Sequence, residues 1–282
     1  MKQRGGNQKE RRRGTLKGRT GVFTRIHDLF TAPKAYIPKY ISNHTVLRVY
    51  DMLWKISRVS PSVRERNREI NSRALSKGDV FRVGSFIENQ RDWGNIQFGG
   101  GKHHNMGYSG CEIIAVYNAL LSLGKTLSFE EMAGLITAFE EKGAALKGEF
   151  GVAPYAVKEY LVNAGYEVDE TESAEEHDLC RLGEKSSTFI ATVYNNKNNI
   201  MEEIHTVCIT GEDGAYVVHN DYTRAGNGQQ GYRERGGYAT LWDAVESIGR
   251  DAHSIYVLGI RKPGVMPGKP GAGSGRTDEN EN

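Results

Sequence analysis

The clearest pattern in the chain is a run that is apolar on nearly every side: CEIIAVYNALLSL, residues 111–123, ending at Gly124. A helix that is apolar all round is a buried helix, and a glycine just past its end suits the left-handed C′ position. Ser128 and Glu131 then form a capping-box pair ahead of Met132, Leu135, Ile136 and Phe139, which repeat at helical spacing. Pro154 suits the first turn of a third helix carrying Val157, Tyr160, Leu161 and Ala164, stopped by Gly165.

Beyond that point the period shortens. Thr188–Tyr194, His205–Thr210, Ala215–Asn220 and Ser254–Ile260 are short runs rich in Val, Ile, Thr and Tyr, and they read as strands. A short helix is expected at 240–248, opened by Thr240 and Asp243. Helices first and antiparallel strands second predict an α+β fold, with the Cys111 helix packed on the sheet. Upstream, Leu47, Val49, Tyr50, Leu53, Trp54 and Ile56 fit a helical face only loosely.

Charge adds a boundary. Residues 1–20 hold eight Lys or Arg against the single acid Glu10, so the net charge of +2 belongs to this arm and the remainder is mildly acidic. The expected organisation is a disordered basic arm at 1–20, an extension without an assigned role at 21–84, one domain at 85–262, and a Pro/Gly-rich disordered tail at 263–282. No apolar run is long enough to span a membrane, and no secretory h-region follows the basic start. Three cysteines make no disulfide framework and suggest reduced thiols, so a cytoplasmic location is expected.

Cys111 is the first candidate for chemistry. A thiol opening a buried helix meets unsatisfied N–H groups that favour thiolate and can receive a developing oxyanion. A cysteine there is otherwise a small buried hydrophobe. His205, opening HisThrValCysIleThr, is the candidate base. It shares a strand face with Val207 and Ile209, and Cys208 points the other way. If the His205 face meets the Cys111 helix, Cys208 is structural.

The orienting group comes from the next strand. A three-residue loop at 212–214 sets Asp221 opposite His205, whereas a two-residue loop brings Asn220 onto the His205 face. Asp221 is preferred and Asn220 stays open. Asn105, six residues before Cys111, is the candidate oxyanion donor. His103 and His104 are adjacent in a Gly-rich loop with no completing ligand motif, so neither a metal nor another cofactor is expected.

These residues, SerGlyCysGluIleIleAlaValTyrAsnAlaLeuLeuSerLeuGly at 109–124, HisThrValCysIleThrGly at 205–211 and AlaTyrValValHisAsnAsp at 215–221, resemble the bacteriocin-leader (double-glycine) peptidase-like branch of the papain-like cysteine peptidases. The resemblance covers roughly residues 85–262. It implies a papain-like fold and peptide-bond hydrolysis through a thioester on Cys111, with His205 as base and then acid and Asp221 orienting it. Two positions depart from the family pattern: Asn105 stands where a Gln is usual, and Tyr222 where a Pro is usual. The expected partner is a peptide or protein substrate. Acyl transfer to an amine and peptide binding without cleavage are the competing readings. The basic arm suits an acidic partner or an anionic membrane surface; without interleaved aromatics, a nucleic-acid role is not expected.

Overall fold

The computed structural model describes residues 42–195, 204–212, 214–224, 230–232, 237–248 and 253–264; the arm at 1–20 and nearly all of the tail lie outside them. Two helices come first, α1 (Asn43–Ile56) and α2 (Pro61–Leu75). A four-residue helix α3 (Met106–Ser109) leads into α4 (Cys111–Ser122), followed by α5 (Phe129–Glu141) and α6 (Pro154–Asn163). The second half contains β1 (Glu167–Thr171), α7 (Glu176–Gly183), β2 (Thr188–Tyr194), β3 (Ile204–Glu212), β4 (Ala215–His219), β5 (Tyr222–Arg224), β6 (Gln230–Tyr232), α8 (Leu241–Glu246) and β7 (His253–Arg261).

The α+β expectation is met by an antiparallel five-stranded sheet in the order β1-β7-β2-β3-β4, with β5 and β6 forming a separate ribbon. Local signals explain the helix ends. Ser128 Oγ accepts from Glu131 N–H and the Glu131 carboxylate accepts from Ser128 N–H, the reciprocal pair that satisfies two orphan donors. Gly124 takes φ +78° after α4, and its N–H returns to Leu121.

The sheet separates two cores. On one face α4, α5 and α6 bury Ile113, Ile114, Tyr117, Ile136 and Leu161 against Ile190, Cys208 and Leu258. On the other, α7 and α8 bury Leu179, Leu241 and Val245 against Val193, Val207 and Ile209. Leu47 of α1 and Leu75 of α2 lie in the first core, so these helices share it with α4. Two buried asparagines dock α2 on the loop before α3: Asn71 exchanges hydrogen bonds with the Gln97 N–H and C=O (2.7 and 2.8 Å), and Asn67 donates to Gly99 C=O and to the buried Glu140 carboxylate.

Strand alternation settles the conditional reading of β3. Cys208 faces the Cys111 helix, and Val207 and Ile209, with which His205 shares a face, meet α7 and α8. The β3–β4 register pairs Glu212 with Ala215 and Cys208 with His219, so two residues lie between the paired ends. The preferred three-residue loop is therefore replaced by the two-residue form, with Gly214 at φ +82°.

Candidate active site

Cys111 sits at the first position of α4 and is 7 % exposed. Two backbone N–H groups, from Glu112 and Thr206, face its sulfur. The odd-numbered Gly211 of β3 donates to Ser187 on the β2 side, so the even-numbered Thr206 N–H turns toward the β4 side. There β4 has already ended at His219, and Sγ occupies the gap. The α4 helix thus reaches β3 at its open edge.

His205 approaches the same edge from the other face. Its Nε2 lies 2.9 Å from the carbonyl oxygen of Asn220, the residue directly after β4. A carbonyl only accepts, so Nε2 carries the proton and, in a neutral ring, Nδ1 holds the lone pair. Burial pushes the imidazole down to about 4, partly offset by the Asn220 carbonyl, so the ring is neutral at pH 7.

Asn220 belongs to this arrangement through its backbone, not through its amide. It adopts φ +62°, a left-handed conformation that asparagine tolerates better than most residues. Its side-chain Oδ1 accepts from Gln90 N–H (3.0 Å) and its own N–H donates to Glu88 Oε2 (2.9 Å). The two-residue turn brings Asn220 onto the His205 side, as that alternative anticipates, and the left-handed twist then presents its carbonyl. Asp221 is buried beside it at 5 % exposure.

Asn105 is used elsewhere. Its Oδ1 caps α3 by accepting from Tyr108 N–H (2.9 Å), and its Nδ2 donates to His103 C=O. One N–H of the Asn105 amide is thus taken within its own loop.

Two residues of the site escape the sequence reading. Glu112, next to Cys111, is 1 % exposed, and its Oε2 accepts from the Cys111 thiol at 3.3 Å. Burial raises its carboxyl to about 7 despite backbone donors at Glu112 and Val152. Gly151 closes over it at φ +68°, where a Cβ would lie 2.7 and 2.8 Å from the two carboxylate oxygens. Burial, and then the Glu112 charge, push the Cys111 thiol well above its ordinary range, outweighing the two N–H groups and reversing the direction that helix position alone suggests. Gln90 is the second, 1 % exposed and pinned by its N–H to Asn220, with its amide Nε2 3.4 Å from Gly107 C=O on the segment leading to Cys111. A buried acid directly after a helix-opening cysteine was the available signal for Glu112. Nothing local marks Gln90, twenty-one residues upstream.

A cavity of about 540 Å³ between Trp54, Phe139, Ala156 and Tyr160 contains none of these residues. No group of three His, Cys, Asp or Glu side chains suited to a metal occurs among the described residues, and none of their helices is long and apolar enough to cross a membrane. Comparison of the chain with family models, curated proteins and solved structures finds no match.

Proposed function

We propose that this chain is a cysteine peptidase of papain-like type, with Cys111 as nucleophile and His205 as base. Two observations support the reading: the Cys111 sulfur lies against the backbone N–H of Thr206, the residue after His205, and His205 Nε2 is engaged by a carbonyl. That engagement leaves Nδ1 as the basic nitrogen, the tautomer a proton acceptor requires. Both groups rest neutral, so the cycle begins from thiol and imidazole rather than from a preformed ion pair.

On substrate binding the thiol turns from Glu112, its proton passes to His205 Nδ1, and Sγ bonds to the scissile carbonyl carbon. The N–H groups of Glu112 and Thr206 that face Sγ favour negative charge there. Collapse of the adduct breaks the C–N bond, and the amine leaves with the proton from His205. Water, deprotonated by the same nitrogen, then attacks the thioester and restores the thiol. The orienting acceptor in this reading is the Asn220 carbonyl; Asp221 lies next to it in the chain.

One observation favours the rival reading of a peptide-binding domain that does not cut: burial and Glu112 hold Cys111 as the neutral thiol. Incubation with a mixed peptide library, followed by mass spectrometry, separates the two. Cleavage that disappears in Cys111→Ala and His205→Ala but persists in Cys208→Ala supports the peptidase. Peptide retention without new termini supports the binding domain.

A further inference from the structure

The segment 86–90 straps the two halves of the site together. At one end Asn118 of α4, fully buried, accepts from Ile87 N–H (2.9 Å) and donates to Ile87 C=O (2.8 Å). At the other, the Glu88 carboxylate is shared: Oε1 meets His219 Nδ1 and Oε2 accepts from Asn220 N–H, each at 2.9 Å. Phe86 stacks on the His219 ring at 3.9 Å between centroids, and Gln90 N–H fixes the Asn220 side chain.

The far side of His219 is also engaged. Thr210 Oγ1 spends its single proton on Glu212 Oε1 (3.0 Å), so toward His219 Nε2, also at 3.0 Å, it accepts. Glu88 and Thr210 thus hold the His219 ring at both of its nitrogens. With its N–H and side chain both anchored to the strap, Asn220 keeps its left-handed backbone and its carbonyl stays on His205 Nε2.

We propose that Glu88 is a positioning residue for His205: by gripping the His219 ring and the Asn220 N–H together, it aims the Asn220 carbonyl that fixes the imidazole tautomer. The inference rests on the peptidase reading for its catalytic meaning, but its structural content is testable without a substrate.

The test is a long-range ¹H–¹⁵N correlation of the histidine rings in the full-length ¹⁵N-labelled protein at pH 7, with His205→Gln assigning the signal. Wild type is expected to show one His205 species, protonated at Nε2. Glu88→Ala should add the Nδ1-protonated species, and against any peptide that wild type cleaves its kcat should fall about tenfold with KM unchanged, as expected for loss of one orienting hydrogen bond. Glu88→Gln should rescue both, because its amide oxygen accepts from Asn220 N–H and its NH₂ reaches His219 Nδ1.

An unchanged His205 spectrum in a folded Glu88→Ala protein overturns the proposal, whether or not the protein is a peptidase. If Glu88→Ala does not fold, Glu88→Asp reads the same relay, since it keeps the charge but, one methylene shorter, cannot reach the His219 ring and the Asn220 N–H together. A second His205 species there supports the relay, and an unchanged one overturns it. A wild type that cleaves nothing, with these spectral shifts intact, refutes the peptidase reading alone.

Discussion

Replacing Glu112 by Gln isolates the electrostatic cost of burying a carboxylate beside the candidate nucleophile. Glu112 is 1 % exposed, and its carboxyl is raised from 4.5 to about 7 chiefly by burial. The unfolded chain releases this proton near 4.5 and the folded chain holds it to about 7. The associated stability is therefore complete below 4.5 and is lost as pH rises through 7. At 1.36 kcal/mol per pH unit the loss is about 3 kcal/mol. Gln cannot titrate, so the stability difference between Glu112→Gln and wild type should move by about 3 kcal/mol in the variant's favour between pH 4 and pH 8. Any fixed cost of placing an amide among the backbone donors cancels in that double difference, as do His205 and Glu140, which titrate in both proteins. Urea unfolding followed by tryptophan fluorescence at the two pH values measures it. A difference that stays constant to within about 1 kcal/mol refutes the burial argument.

Further outcomes follow from the same geometry. His205 is buried neutral, with its ring lowered from 6.5 to about 4, so its contribution is present above 6.5 and lost as pH falls to 4; between these pH values His205→Gln should lose about 3 kcal/mol less than wild type in denaturant titrations. Asn118→Ala leaves the Ile87 N–H and C=O without their partner and should cost about 2–4 kcal/mol in chemical unfolding, with hydrogen exchange rising first at 86–90. Gly151→Ala combines a left-handed backbone with a Cβ inside contact distance of the Glu112 carboxylate and should cost about 2–4 kcal/mol; a melting temperature equal to wild type would remove the closed-pocket account of Glu112.

How far the sequence spoke depended on whether each signal was local. The buried α4, its Gly124 stop, the Ser128–Glu131 box and the Pro154 start are written within a turn of where they act, and each forms as expected. The edge strand β1 was not legible, because Glu167, Asp169 and Glu170 give it a charged pattern that only pairing with β7 organises. The helix α2 was obscured for a related reason. Its buried positions include Asn67 and Asn71, polar residues whose partners are backbone groups about thirty residues away.

The site divides the same way. Cys111 and His205 stood out by type and position, but their neighbours depend on the register of one turn. Two residues rather than three between β3 and β4 exchange Asp221 for Asn220, and the left-handed backbone then substitutes a carbonyl for a side chain. Asn105 was singled out by spacing alone, and its role as the cap of α3 was not legible there. The thiol's direction of shift was misjudged because helix position was weighed without the buried carboxylate next to it.

The central claim, that Cys111 attacks a peptide carbonyl with His205 as its base, is tested most directly by covalent capture with a mixture of peptide vinyl sulfones. These reagents react slowly with ordinary thiols and quickly with one activated beside a bound peptide. Peptide mapping of the treated full-length protein should find the adduct on Cys111 alone, with none on Cys180 or Cys208, and should find it lost in folded His205→Ala. Labelling that favours the more exposed Cys180, or labelling of Cys111 that persists unchanged without His205, would contradict the account.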